Sequence, residues 1–385
     1  LTEKIDSKRR RVLLTGIIFI VSVIFSLFIA EGACRLILGS ISKTVPDDIL
    51  ENRILPHTGG HDAWGFRNET VPDKADIVII GDSQTYGLNV LAEDSWPSTL
   101  EKLLERSVYN LSLGGYGPVQ YSYLLEHKAF KLDPSLIIVG FYFGNDLVDV
   151  FDIVYGNDNW KHLRNSEISL KPVRRRTNKG MAIFFDSLKN WLWQNSRLYQ
   201  LLVNFSAAAK ERIRYYSIKY NIKKSSGITY FKDAEHHIDT GFNPGWRYTT
   251  LNLNDSRIEE GLRITLELFK RMNDACSEKG VDFIIVFIPT KESVYAEYIE
   301  NNRELMNSRM IDELLANERR IGTIMKEYFL EHNIEYLEVL DKLREEARKG
   351  QIYPRDSDDH FNRDGYEAVA RAVKGYLSTA EEGCY

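Results

Sequence analysis

Five short apolar runs, Ile77–Gly81, Val108–Leu113, Leu136–Phe143, Val281–Ile288 and Ile334–Leu340, punctuate the chain, with amphipathic segments between them. Runs of this length without polar alternation suit strands covered on both faces, and strands alternating with helices build a parallel sheet with crossover helices. Ser95 and Pro97 open the first crossover helix, in which Leu100, Leu103 and Leu104 recur at helical spacing. Comparable segments lie at about 118–131, 257–279, 311–331 and 363–378. The expectation is an α/β fold, a doubly wound parallel sheet of about five strands, in a domain covering residues 75–385.

One crossover is far too long. About 110 residues, 147–256, separate the third run from the fourth, so this stretch reads as a helical insertion within the domain. Its residues 161–226 hold 15 Lys and Arg against Glu167, Asp186 and Glu211, a net of +12, in a chain whose total is −5. Phe184, Phe185, Trp191, Trp193, Tyr199, Tyr215, Tyr216 and Tyr220 are interleaved with these charges. The plain expectation is a helical cap with its aromatics packed on the sheet and its charges in water. The functional alternatives are contact with anionic lipid headgroups or with an acidic glycan.

The N-terminus has its own character. Lys4, Lys8, Arg9, Arg10 and Arg11 precede an uncharged run from Val12 to Ala30. As a helix that run spans roughly 28 Å, close to the hydrocarbon thickness of a bilayer. It lacks the polar stripe of a core helix and is longer than the apolar region of a signal peptide. The reading is a basic tail at 1–11, a transmembrane anchor at 12–30 and a polar connector at 31–74. The positive-inside rule puts the tail in the cytoplasm and the domain outside it, on a single-pass cell-membrane anchor.

Composition closes off other classes. With 50 Lys and Arg against 55 Asp and Glu, there is no excess of cation for a dedicated nucleic-acid binder. Three scattered cysteines, Cys34, Cys276 and Cys384, offer neither a disulfide framework nor metal-ligand spacing, and neither does Glu235-His236-His237. No metal and no cofactor is expected.

The chemistry-bearing residues lie where strands end. Asp76-Ile-Val-Ile-Ile-Gly-Asp-Ser83 is an apolar strand running into Gly81-Asp82-Ser83, and ligands of open parallel sheets bind at carboxyl ends of strands. Ser83 is therefore a candidate nucleophile. Thr85 rather than Gly follows two residues later, so the GxSxG elbow is absent. A serine hydroxyl needs a base, itself held by an acid. Asp358 stands two residues before His360 in a loop ahead of the last helix, a spacing that lets the carboxylate reach Nδ1 across a turn. Asn362 is read as that helix's N-cap. Oxyanion donors are available at Gly115, in the glycine loop after the second run, and at Asn145, after the third.

Taken in order, the GDS block, the glycine loop, Gly-x-Asn-Asp and the C-terminal His resemble the four blocks of the SGNH/GDSL hydrolase superfamily. The resemblance covers most of residues 70–380 outside the insertion and implies an SGNH, flavodoxin-like fold. It implies Ser83 as nucleophile, His360 as general base, and the Ser83 and Gly115 amides with the Asn145 side chain as oxyanion hole. The superfamily commonly has its acid three residues before the His, where this chain has Ser357. The Asp-x-His spacing is more similar to the membrane-associated branch that includes alginate O-acetylation proteins. The acid is accordingly Asp358, with Asp356 in reserve. The loop Pro289-Thr-Lys291 also looks like that branch; Lys291 is read first as a surface residue, with a functional role as the alternative.

What the resemblance implies is an extracytoplasmic serine esterase acting on ester-linked acyl groups through an acyl-serine. The alternatives are an O-acyltransferase acting on a cell-surface polysaccharide and a non-catalytic glycan-binding or assembly module. The expected partners are an acyl ester, an acylated glycan and the membrane, with no nucleic acid.

Overall fold

The computed structural model describes residues 2–38, 42–167, 180–203, 205–206, 209–210, 229–233, 237–301 and 308–382. Nine strands occur among them: β1 (Thr44–Asp47), β2 (Glu51–Ile54), β3 (Ile77–Gly81), β4 (Val108–Ser112), β5 (Leu136–Tyr142), β6 (Thr229–Asp233), β7 (Ile238–Phe242), β8 (Asp282–Ile288) and β9 (Glu335–Glu338). Five of these form one parallel sheet in the order β4-β3-β5-β8-β9. The chain thus starts at β3 and winds outward in both directions, which opens a crevice above the carboxyl ends of β3 and β5.

Successive side chains of a strand point to opposite faces, and here both faces are covered. Ile77 and Ile79 pack with Trp96, Leu100, Leu343 and Val369 on one side of the sheet. Val78 and Ile80 pack with Tyr121, Leu124, Phe269 and Met325 on the other. All five residues of β3 are buried, the reason its sequence lacks polar alternation.

Three boundaries differ from the sequence reading. The N-terminal helix runs from Thr2 to Leu38 rather than stopping at Ala30, because Glu31 and Arg35 pair at 2.7 Å one turn apart and continue it. Among the described residues it is the one helix long and apolar enough to cross a membrane, with mean hydropathy 2.8 over Leu13–Ile37.

The segment taken as a connector is largely part of the domain. Its β1–β2 hairpin and following loop bury Leu50, Ile54 and Phe66 in the core. Asp62 accepts a 2.5 Å hydrogen bond from the Tyr109 hydroxyl. The Asn68 side chain bonds both the N–H and the C=O of Asn110, at 3.0 Å each, and so supplies β4 with the partner an edge strand otherwise lacks.

The insertion is likewise integrated at both ends. Leu147, Val148, Val150 and Phe151 are buried on the helix Asp146–Gly156, and Ile238, Phe242 and Leu251 belong to the core. Among the described residues, its middle stands outside, as the helix Gly180–Asn195 and a helical stretch over 197–203. Trp191 and Trp193 are 61% and 41% exposed there, so these aromatics do not pack on the sheet. Residues 168–179 and most of 204–228 of the basic stretch lie outside the described residues.

Candidate active site

The turn that carries Ser83 is dictated by what surrounds Thr85. Gly81 and Gly140 are paired across β3 and β5, and a Cβ on either would collide with the Thr85 side chain. Two facing glycines therefore let the short helix Ser83–Tyr86 start directly on top of the strand ends. Asp82 caps that helix, its carboxylate accepting from the Gln84 N–H at 2.8 Å. Ser83 is the helix's first residue, so its own N–H has no acceptor within the helix.

Across the crevice the loop before the last helix brings up His360. Its Nε2 lies 2.8 Å from the Ser83 Oγ, and its Nδ1 lies 2.7 Å from Asp358 Oδ1. The Asp358 carboxylate also accepts from the His360 N–H at 2.9 Å and from the Asn89 side chain. Burial alone would raise its pKa, but the bonds from His360 outweigh burial and hold the carboxyl well below the usual carboxylate range. An ionised Asp358 keeps the imidazole proton on Nδ1 and leaves the Nε2 lone pair facing the serine hydroxyl. Residues 277 positions apart thus stand within hydrogen-bond distance of each other, with Asp358 on the far side of the ring.

Asn362 caps the last helix, accepting from the Gly365 N–H at 3.0 Å.

Of the two loops read as oxyanion donors, the glycine loop lies beside Ser83. A Cβ at Gly114 would sit 3.6 Å from the Ser83 Cβ, and Gly115 follows with φ +82, its Cβ direction open. That left-handed backbone is the reason for glycine at 115. Asn145 precedes the helix Asp146–Gly156 and donates from Nδ2 to the Asp149 carboxylate. An amide carries two N–H bonds, so this contact orients the group and leaves a second donor.

Behind the serine lies a set of buried acids. Burial raises the Asp82 carboxyl, and burial reinforced by the Asp82 charge raises Asp146 well above the ordinary range. Asp146 accepts from the Tyr142 N–H at 3.0 Å and from the Tyr121 hydroxyl at 3.1 Å. It fastens the end of β5 to the helix below it.

Two residues hold the site that the sequence reading missed or ranked as a surface residue. Arg247 lies in the supposed insertion, yet it is buried, donates to the Gly144 carbonyl, ion-pairs with Asp359 and sits 5.2 Å over the Tyr142 ring. It joins the Asn145 loop to the His360 loop. Lys291, read as a surface residue, is 1% exposed. Its Nζ donates to the Asp356 and Asp358 carbonyls at 3.1 and 2.8 Å. Its position just past β8, at a strand's carboxyl end, was the available signal.

Gln84 adds a bond to the Asp359 carbonyl at 2.9 Å, and the Thr240 hydroxyl one to the Pro354 carbonyl at 2.6 Å. The loop carrying Asp358 and His360 is thus held by four side chains, Arg247, Lys291, Gln84 and Thr240.

Arg247→Met is expected to destabilise the fold by about 3 kcal/mol, because it leaves the Asp359 carboxylate without its ion-pair partner, while the Gly144 carbonyl keeps its bond from the Thr250 hydroxyl. Denaturant melts of both proteins check this.

Lys291 offers a pH-dependent counterpart. Burial pulls its pKa down to about 8, so between about pH 8 and the ordinary lysine value of about 10.4 the unfolded chain binds more protons. Stability from this residue rises with pH across that window, and the neutral amine still has N–H donors for both carbonyls. The difference in stability between wild type and Lys291→Met, followed by melts from pH 7 to 10.5, should grow in favour of wild type.

Asp358, Asp359 and His360 could together offer three metal-ligand atoms within 4.8 Å of one another. Their donors are already engaged by one another, by Arg247 and by Ser83, an arrangement suited to proton transfer.

Comparison with known proteins bears on this geometry. Residues 242–383 match the family described as SGNH hydrolase-like domain, acetyltransferase AlgX. The match includes Arg247, Lys291, Asp358 and His360 but stops short of Ser83. The chain is similar to a catalytic mutant of an acetylxylan esterase from Geobacillus stearothermophilus, with 10% identity over 79% of this chain and 94% of that one, TM-score 0.39. It is also similar to a lipolytic protein of the G-D-S-L family from Veillonella parvula, with 14% identity over 78% and 97%, TM-score 0.34. A GDSL-like lipase from Bacteroides thetaiotaomicron gives 11% identity over 79% and 88%, TM-score 0.33. No curated protein matches.

Proposed function

For a chain that resembles the SGNH hydrolase superfamily and carries an AlgX-type domain at 242–383, we propose an enzyme that cleaves acyl esters through an acyl-Ser83 intermediate. The observation that carries this reading is the unbroken chain Ser83 Oγ–His360 Nε2 and His360 Nδ1–Asp358, at 2.8 and 2.7 Å. Ser83 attacks the ester carbonyl as its proton passes to Nε2. The resulting oxyanion is held by the Ser83 and Gly115 N–H groups and the second amide hydrogen of Asn145. Collapse expels the alcohol, which takes the proton back from His360, and leaves the acyl-serine.

Water then regenerates the enzyme as an esterase. A sugar hydroxyl in its place makes it an O-acyltransferase, a second reading favoured by the match to an acetyltransferase domain. The proposed setting is the outer face of the cell membrane, with Leu13–Ile37 as anchor and the basic tail inside. An acetylated cell-surface polysaccharide is the proposed substrate class.

The test supplies an acetyl ester donor with and without an oligosaccharide. Acetate release alone means hydrolysis, acetylated oligosaccharide means transfer, and neither product, with no labelling by a fluorophosphonate, sinks the proposal. Asn145→Ala should lower kcat by about a hundredfold or more. An unchanged kcat would remove Asn145 from the oxyanion hole.

A further inference from the structure

The outer end of the apolar helix is bonded to the middle of the insertion. The Glu31 carboxylate accepts from the Ser196 hydroxyl at 2.7 Å and from the Arg197 and Leu198 N–H groups at 3.0 Å each. Arg35, one turn on, donates to the Asn195 carbonyl at 2.5 Å. Glu31 thus closes the N-terminus of the helical stretch over 197–203, and Arg35 the C-terminus of Gly180–Asn195, each with the charge that suits the helix end.

Glu31 is the first charged residue after the apolar run, which places these bonds at headgroup depth if the run spans a bilayer. The two tied helices present apolar groups to the outside. Leu188 and Trp191, three apart on the first, are 43% and 61% exposed; Leu202 on the second is 56% exposed, and Phe205, two residues past that stretch, is 73% exposed. Such side chains on a helix surface have no reason to face water unless something else covers them. Tryptophan at a membrane boundary and basic, amphipathic helices lying in its plane are recurrent interfacial devices. The sequence stretch 161–226, to which both helices belong, has a net charge of +12, the sign that suits anionic headgroups.

We propose that the helical pair formed by 180–195 and 197–203 lies in the interfacial layer of the membrane that the N-terminal helix enters. Trp191, Leu202 and Phe205 insert among the acyl chains near the headgroups, and the Glu31 bonds fix the pair to the helix end. The inference rests on the anchor reading above. It turns a flexible tether into a fixed one, so the crevice is held at a set height over the lipid surface.

The test uses the full chain in nanodiscs of phosphatidylcholine brominated at acyl positions 6 and 7, with and without phosphatidylglycerol. The difference in emission between wild type and Trp191→Phe isolates the Trp191 signal. That signal should be quenched at least twofold by the bromines, and Leu202→Asp/Phe205→Asp or Glu31→Ala should restore most of it. Stronger quenching with phosphatidylglycerol supports the basic stretch as the capturing charge. A chain that co-purifies with the discs but whose Trp191 signal is unquenched overturns this inference and leaves the anchor intact. The same holds if Trp191 is shielded by a second copy in the disc. Failure to enter the discs overturns both.

Discussion

Ser83→Ala is expected to reduce kcat for acyl-ester cleavage by about 10⁶-fold and to abolish fluorophosphonate labelling. The Oγ is the atom 2.8 Å from His360 Nε2, so its loss removes both the nucleophile and the proton that the imidazole accepts. The turn itself survives, because Asp82 still caps the helix through the Gln84 N–H and Thr85 still sits over Gly81 and Gly140. Thermal stability is therefore expected to stay close to wild type, which separates loss of chemistry from loss of fold. The backbone donors of the oxyanion hole also remain, and a residual acceleration of about 10³–10⁴ over water should persist. Adding His360→Ala should cost little more, since nucleophile and base act as a unit. Single-turnover acyl release and probe labelling of the three proteins measure all of this. Labelling retained in folded Ser83→Ala would move the nucleophile elsewhere.

The sequence was most readable where local rules and tertiary placement agree. An all-apolar strand ending in Gly-Asp-Ser announces a buried parallel strand and a turn at its carboxyl end, and Ser83 lies there. Asp358 and His360 were readable as a pair because two residues are enough for a carboxylate to reach Nδ1 across a turn. Arg247 and Lys291 were hidden for the opposite reason. A lone cation in sequence is read as solvated, since burying it is costly. Only the fold reveals the carboxylate, ring and carbonyls that make their burial tolerable. Length alone marked 147–256 as an insertion. It gave no hint that Val150 and Phe242 at its two ends would be core while Trp191 between them would stay exposed. Glu31 interrupted the apolar run and so marked a helix end by composition, although its pairing with Arg35 carries the helix on.

Asp358→Asn should lower kcat by about 10⁴-fold with little change in KM. Two other acids stand near and make the assignment testable. Asp359 Oδ1 is 4.0 Å from His360 Nδ1, beyond hydrogen-bond range, and its carboxylate is engaged by Arg247. Asp356 Oδ1 accepts from the Asp358 N–H at 3.0 Å, which shapes the turn rather than the ring. An asparagine at 358 can present its amide N–H to Nδ1, which drives the ring proton to Nε2 and turns a donor toward the serine. The base then has no lone pair for Ser83 even though every atom is in place. Asp359→Asn leaves the tautomer intact and should cost only about tenfold, through a weaker Arg247 bond. Because bonding to His360 keeps Asp358 ionised far below neutrality, its support of the fold is complete above about pH 4 and is lost only on strong acidification. The acid limb of the wild-type rate profile is therefore not set by the Asp358 carboxylate. A limb that followed a carboxylate, or equal losses in the two asparagine variants, would transfer the orienting role away from Asp358.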